Sequence, residues 1–214
     1  MLPDSVMKIG AEAFRGCSGL EEIKLPFDVK EIGNNAFYGC SGLCGSLILP
    51  EWLETIGSHA FDGCSGLSGD LALPDSVKTV GTYAFQNCSG FKGKLSLPEG
   101  LTKVEEGVFY GCGGLVGTLS LPDSVKTVGR RAFQDCRGFN RVEFGTGLAN
   151  IYSWSDYGAF YGCSGITEVT FLGESVPHIS YSVNETSSNS IGIENLFGSS
   201  MPNLKKIIVP EGCY

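Results

Sequence analysis

Residues 71–91 read LALPDSVKTVGTYAFQNCSGF, and close copies of this stretch follow one another along most of the 214-residue chain. The phenylalanine of each copy recurs at intervals of 23, 24, 24, 24, 24 and 27 residues, as Phe14, Phe37, Phe61, Phe85, Phe109, Phe133 and Phe160. A cysteine follows each of them by three positions, as Cys17, Cys40, Cys64, Cys88, Cys112, Cys136 and Cys163. Repetition at a fixed period predicts a repeat protein, in which each copy is one coil and neighbouring coils stack to bury a shared core.

Each copy contains the elements of one coil. Leu71–Leu73 alternates inward and outward positions and is followed by Pro74, which predicts a short strand that ends there. Val77 and Val80 are expected to point inward from a return segment, and residues 84–88 to form a single helical or 3₁₀ turn. A period of about 20 to 29 residues with one strand per copy is typical of leucine-rich repeats. The predicted fold is α/β but mostly β, with a parallel sheet on one face and short helical or 3₁₀ turns on the other. It is a right-handed solenoid in which crossovers join parallel strands.

The whole chain, residues 1–214, is predicted to be one solenoid domain of about eight repeats with two insertions. Residues 149–158, ANIYSWSDYG, add four residues to one copy, which predicts a protruding loop that carries Tyr152, Trp154 and Tyr157. The alternative is that these aromatic residues fold back and cover apolar surface. Residues 180–191 are rich in Ser and Asn and predict a flexible surface loop.

The form LPDSVKTVG, then AF, then CSG, as in residues 73–90, resembles the BspA-like subgroup of leucine-rich repeats. The resemblance covers roughly residues 2–172. It implies a bacterial cell-surface or secreted protein, and some members of the group are adhesins. The partner implied is a protein or another extracellular macromolecule.

The formal net charge of −8 argues against nucleic acid and anionic membranes as partners, because both recruit clustered Lys and Arg. No apolar run approaches the length needed to cross a bilayer, so membrane insertion is not expected. We expect a monomer.

No catalytic, metal or cofactor site is predicted. The two histidines, His59 and His178, are far apart in sequence, and His59 occupies a variable column that is expected to face solvent. Cys40 and Cys44 form the closest cysteine pair, and no second pair lies nearby to complete a zinc site. The seven cysteines of the repeat are predicted to be buried free thiols, because side chains one coil apart are too distant for a disulfide. The sequence leaves the state of Cys44 and Cys213 open.

The outward positions of the strands form two columns of mixed charge, which favour a broad interface over a pocket. Trp52 stands out because its column otherwise contains Asp28, Ser76, Gly100 and Ser124. The sequence therefore predicts a non-enzymatic protein-binding or adhesion module. A structural spacer within a longer surface protein is the alternative, and a hydrolase is a remote one. The candidate partner-binding residues are Trp52, Asp70, Lys94, Arg141, Glu143, Tyr152, Trp154, Tyr157 and Glu168.

Overall fold

The computed structural model describes residues 2–153, 158–175, 177–182, 188–190 and 201–210. Its strands lie in two rows, in which most neighbouring strands pair in parallel with the strand of the adjacent coil, whereas the strand Ser188–Ser190 pairs antiparallel with His178–Ser182. The first strand row contains β3 (Gly45–Ser46), β5 (Leu67–Ser68), β6 (Leu71–Ala72), β8 (Leu95–Ser96), β10 (Gly117–Leu121), β12 (Phe139–Phe144), β14 (Glu168–Phe171) and β17 (Lys206–Ile208). The second strand row contains β1 (Lys8–Ile9), β2 (Glu31–Ile32), β4 (Thr55–Ile56), β7 (Thr79–Val80), β9 (Lys103–Val104), β11 (Thr127–Val128), β13 (Asn150–Ser153), β15 (His178–Ser182) and β16 (Ser188–Ser190).

The parallel β-solenoid is therefore confirmed, but it has a second row of strands where the sequence predicted a return segment. In the coil quoted above, Val80 is buried and its neighbour Thr79 is exposed. The two-residue strand pairs with Thr55–Ile56 of the preceding coil. A strand of only two residues, one side chain inward and one outward, can pair here because the neighbouring coil holds it in register.

The third side of each coil is a run of turns, and no helix occurs in the described part of the chain. The predicted helical or 3₁₀ turn over residues 84–88 is wrong for two reasons. Tyr83 and Asn87 adopt left-handed backbone conformations, with φ of 58° and 56°, which interrupt a right-handed helix. The N–H groups also alternate between partners: Phe85 donates to Val108 O in the next coil, at 2.9 Å, whereas Gln86 donates locally to Tyr83 O, at 3.1 Å.

The core consists of buried columns that run through the stack. The seven phenylalanines of the repeat form a continuous ladder, with ring centroids 5.1 to 5.9 Å apart and planes within 14° of parallel. Buried apolar residues from Ile9 to Met201 belong to one cluster. The division into a single domain over residues 1–214 stays a prediction.

Six of the seven repeat cysteines are buried free thiols, as predicted, and Cys17 is exposed. Cys17 lies in the first coil, on whose outer side no described coil packs, so the prediction is wrong there. Each buried thiol donates a hydrogen bond of 2.9 to 3.1 Å to the carbonyl of the preceding coil's phenylalanine. Burial raises the pKa of Cys64 and of Cys112 to about 12. The thiols are thus both apolar filling and cross-links between coils. Cys44 is free and exposed, and Cys213 lies outside the described residues.

The glycine that follows each cysteine by two positions allows the coils to approach closely. A Cβ added at Gly90 would overlap the carbonyl oxygens of Ser65 and Leu67 in the preceding coil. Equivalent overlaps with backbone occur at Gly42, Gly66, Gly114, Gly138 and Gly165. The obstacle is rigid backbone, so it cannot be relieved by a side-chain rotation.

We therefore expect Gly90→Ala to lower the free energy of unfolding by at least about 2 kcal/mol, because the coils must separate to admit the methyl group. Gly100→Ala is the matched control: its Cβ would lie 3.7 Å from the nearest carbonyl oxygens, an ordinary contact. Urea unfolding followed by circular dichroism measures both. Equal stability of the two variants would contradict the steric role of Gly90.

Both insertions differ from their predictions. Tyr152 does not lie on a protruding loop but within β13, paired in parallel with β15. Trp154 and Tyr157 lie outside the described residues. In the second insertion, predicted to be a flexible surface loop, β16 pairs antiparallel with β15, with Tyr181 opposite Asn189, and residues 183–187 and 191 lie outside the described residues. No helix in the described ranges has the length and apolarity of a bilayer span.

Candidate functional site

The C-terminal part of the first strand row brings three of the candidate residues together as an ion-pair network. Arg141 lies 3.1 Å from Glu168 and 3.7 Å from Glu143. Glu168 also pairs with Lys206 at 3.6 Å, and Ser120 donates a hydrogen bond to Glu143 at 3.2 Å. The charges on this part of the surface are mutually compensated, and the pairs are exposed enough to contribute little stability.

Asp70 and Lys94 lie in the middle of the first strand row and are linked through the backbone. An Asp70 carboxylate oxygen accepts a hydrogen bond of 2.7 Å from the Lys94 backbone N–H. This bond satisfies a donor at a point where the strands are interrupted. Asp70 therefore has a structural contact in addition to its exposed position.

An extra glycine is the cause of those interruptions. Four copies contain an extra glycine at or just before the start of the strand, at Gly45, Gly69, Gly93 and Gly117, that the other copies lack. Gly45, Gly69 and Gly117 have φ of 79°, 78° and 84°, a region that favours glycine. Such a residue bulges the strand, and register shifts at Gly117. The first strand row is consequently divided into two pairs and a four-stranded sheet.

The N-terminal part of the row contains exposed apolar side chains that the ion-pair network lacks. Ile48 is 81% exposed, Phe27 60% and Trp52 54%. Trp52 and Phe27 lie on the corner between the two strand rows, and Ile48 points outward from the first. Trp52 is exposed, as are Asp28 and Gly100 at the equivalent position of other copies. The sequence analysis did not single out Phe27 or Ile48.

Comparison between copies shows that these apolar residues are departures from the repeat. The Phe27 position is acidic in most other copies, as Asp4, Glu51, Asp75, Glu99 and Asp123, and is Thr146 and Gly173 in two later ones. The Ile48 position is polar or small in most copies, as Lys24, Ala72, Ser96, Ser120, Glu143 and Thr170, with Ile208 as the exception. Comparison of equivalent positions between copies therefore identifies Phe27 and Ile48 as unusual, and this comparison needs only the sequence.

Two adjoining grooves run between the first two coils around these residues. The volumes are about 540 Å³ and 490 Å³, and both grooves are lined by Lys24, Leu25 and Ile48. Residues 20–26 contain no strand, and a backbone bond of 3.0 Å from Cys44 N–H to Glu21 O joins the coils beside the first groove. We name the combined feature the N-terminal groove. It is lined by Leu2, Asp4, Glu21, Glu22, Ile23, Lys24, Leu25, Pro26, Phe27, Leu43, Cys44, Gly45, Ser46, Leu47, Ile48, Leu49, Pro50, Glu51 and Leu67.

The charged residues that line the N-terminal groove are mostly acidic. Asp4, Glu21, Glu22 and Glu51 are all exposed, and Lys24 is the one basic residue of the lining. The groove therefore combines an apolar floor with a negative rim.

The turn side contains a separate cluster around His59, which is half-buried and not simply solvent-facing as predicted. His59 Nδ1 lies 2.9 Å from a carboxylate oxygen of Asp62, and the imidazole stacks on Tyr83 with centroids 5.2 Å apart. Burial raises the pKa of the Asp62 carboxyl, and the hydrogen bond with His59 opposes this rise. Tyr83 in turn donates to Glu106 at 2.8 Å. These contacts hold turn residues of neighbouring coils together.

Tyr152 is exposed, but it lies on the second strand row and so away from the N-terminal groove. The candidate residues therefore do not converge on one site. Within the described ranges, no group of three or more His, Cys, Asp or Glu side chains could hold a metal ion.

These features define a parallel β-solenoid built of leucine-rich repeats. The chain belongs to the BspA type leucine rich repeat family, whose repeat region, present in six copies, matches residues 1–116, 69–191 and 116–213. Repeat folds of this family are generally non-catalytic and generally mediate protein interactions. A comparison with curated protein sequences gave no match.

Solved structures of bacterial leucine-rich-repeat proteins are similar to this chain. A leucine rich repeat protein of T. pallidum, TpLRR, is 35% identical with a TM-score of 0.65, over 74% of this chain and 72% of that chain. A protein from Bacteroides ovatus is 27% identical with a TM-score of 0.57, over 97% and 59% of the two chains. A leucine rich cell surface protein from Faecalibacterium prausnitzii is 26% identical with a TM-score of 0.57, over 81% and 53%. The chain thus spans between half and two thirds of the length of the last two proteins.

Proposed function

We propose that this chain is a non-enzymatic protein-binding module of the bacterial cell surface, and that it contacts its partner with the first strand row. The observation that carries the proposal is the exposure of Phe27 and Ile48 at positions that are acidic, polar or small in most other copies. An exposed apolar side chain is removed from water only when a partner covers it, which favours binding, so a cluster of them at the same groove supports an interaction surface.

The rest of the row has a supporting role in this proposal. Trp52 extends the apolar contact over the corner between the two strand rows, where its side chain is exposed. Arg141, Glu143 and Glu168 provide a polar end whose charges are already paired. The apolar part would supply most of the affinity, because rim ion pairs contribute mainly to specificity and association rate. The surface location is supported by the F. prausnitzii relative, a cell surface protein.

A displayed library of random peptides, selected on the immobilised chain, tests the proposal. We expect binders whose hydrogen-exchange footprint protects the backbone of the first strand row. A footprint on the second strand row or on the turns, or the absence of any binder, would overturn the proposal. The absence of binders would favour the alternative of a structural spacer.

A further inference from the structure

We infer, on the basis of the proposed function, that the N-terminal groove binds a polypeptide segment in which apolar side chains are flanked by Lys or Arg. The apolar centre of that segment would lie against Phe27 and Ile48, and its basic flanks against the carboxylates of the rim.

The apolar half of this inference follows from the floor of the groove. Leu25, Leu49, Pro26 and Pro50 line it beside the exposed Phe27 and Ile48. A segment that covers these side chains removes apolar area from water, at about 25 cal/mol per Å². The groove is elongated, because its two parts adjoin along Lys24 and Ile48, and it therefore fits an extended chain better than a small molecule.

The basic half follows from the rim. Asp4, Glu21, Glu22 and Glu51 contribute four negative charges, and Lys24 contributes one positive charge. None of the four carboxylates forms a salt bridge with a described basic side chain, in contrast to Glu143 and Glu168 of the C-terminal network. Their charges are therefore available to a cationic partner. An acidic partner, an anionic lipid surface or a second copy of this chain, which has a net charge of −8, would be repelled.

Fluorescence anisotropy with defined peptides tests the inference. The probe is a labelled peptide, Lys-Lys-Leu-Phe-Leu-Lys-Lys. One control replaces its lysines by glutamates, and the other replaces its apolar centre by serines. We expect the probe to bind at least about tenfold more tightly than either control, and to weaken as salt is raised because the rim charges are exposed. Equal binding of the glutamate peptide would overturn the inference.

Variants of the chain locate the binding. Phe27→Asp combined with Ile48→Ser places residues of the other copies at these positions, so the fold should be retained, and we expect at least a tenfold loss of probe affinity. Glu22→Gln combined with Glu51→Gln should reduce the salt dependence. Val116→Ser removes another exposed apolar side chain, outside the groove, and should leave binding unchanged. Unchanged binding to the Phe27/Ile48 variant would overturn the inference.

The outcomes separate this inference from the proposed function. Library binders that protect the first strand row only around Arg141 and Glu168 would leave the proposed function intact and refute the inference. Sedimentation of the free chain tests whether a second copy of the chain occupies the groove. Dimers that are lost in the Phe27/Ile48 variant would show that it does, and would refute the inference.

Discussion

Raising the pH from 8 to 10 is expected to lower the free energy of unfolding, by about 3 kcal/mol through Cys64 and Cys112 alone. In the unfolded chain the six buried thiols would ionise around their ordinary pKa of 9.0, whereas in the fold burial raises the pKa of Cys64 and Cys112 to about 12 and also raises that of Cys40, Cys88, Cys136 and Cys163. Above pH 9 the unfolded state thus binds fewer protons than the folded state, and stability falls as pH rises. A thiol that the fold keeps protonated contributes about 1.4 kcal/mol in total between pH 8 and 10, an average of about 0.7 kcal/mol per pH unit.

The other four buried thiols add to this loss, which is a large fraction of the stability of a typical domain, about 5 to 15 kcal/mol, so the urea midpoint is expected to fall steadily above pH 8. Urea titrations at a series of pH values in reducing buffer measure the slope. Cys88→Ala should make the slope between pH 8 and 10 shallower by about 0.7 kcal/mol per pH unit on average, although the variant is less stable at pH 7. Cys44→Ala, at an exposed cysteine, should leave the slope unchanged. A flat profile between pH 8 and 10 would show that the thiols are not held protonated by the fold.

Phe85→Ala is expected to lower the free energy of unfolding by about 3 to 5 kcal/mol, the range found when a buried aromatic ring is removed from a core. Phe85 is fully buried, and its ring lies between those of Phe61 and Phe109, with centroids at 5.3 and 5.9 Å. The substitution leaves a gap in the middle of the ladder that the rigid coils on either side cannot close.

The matched control is Phe27→Ala, which removes the same ring from an exposed position and should change stability by less than about 0.5 kcal/mol. Thermal and urea unfolding of both variants at pH 7 measure the difference. A loss of under about 1 kcal/mol for Phe85→Ala would mean that the ladder repacks, which contradicts a rigid stack.

The period and the buried columns could be predicted from the sequence because burial restricts the same positions in every coil. The second strand row could not, because Thr79–Val80 is too short to show an alternating pattern. The helical turn was predicted wrongly because Tyr83 and Asn87 give no local sign of a left-handed backbone. The glycines at the Asn87 position of other coils, Gly39 and Gly63, are the indication that was missed.

For the candidate site, the sequence indicated the exposed Trp52 but not the groove. Phe27 and Ile48 were identifiable by comparison between copies, since each replaces a polar or acidic residue in most of them. The groove itself depends on the backbone path of residues 20–26, which contain no strand, and no pattern of residue types specifies this path. The ion pair of Arg141 with Glu168 joins residues 27 positions apart in the sequence, and it forms only because their two strands pair in this register.

The hydrogen bonds between coils have a consequence for how such a protein can change in evolution. On the turn side Phe85 N–H donates forward to Val108 O, whereas on the second strand row Gly81 N–H donates back to Ile56 O. Most internal coils of the described chain therefore give and receive the same bonds at both of their faces, with an interruption of the second strand row between β7 and β9. Duplication or deletion of the coding segment for one such coil keeps the same kind of junction on each side. The binding face can lengthen or shorten in steps of one strand spacing, about 4.8 Å, and the exposed residues of each new coil are then free to diverge.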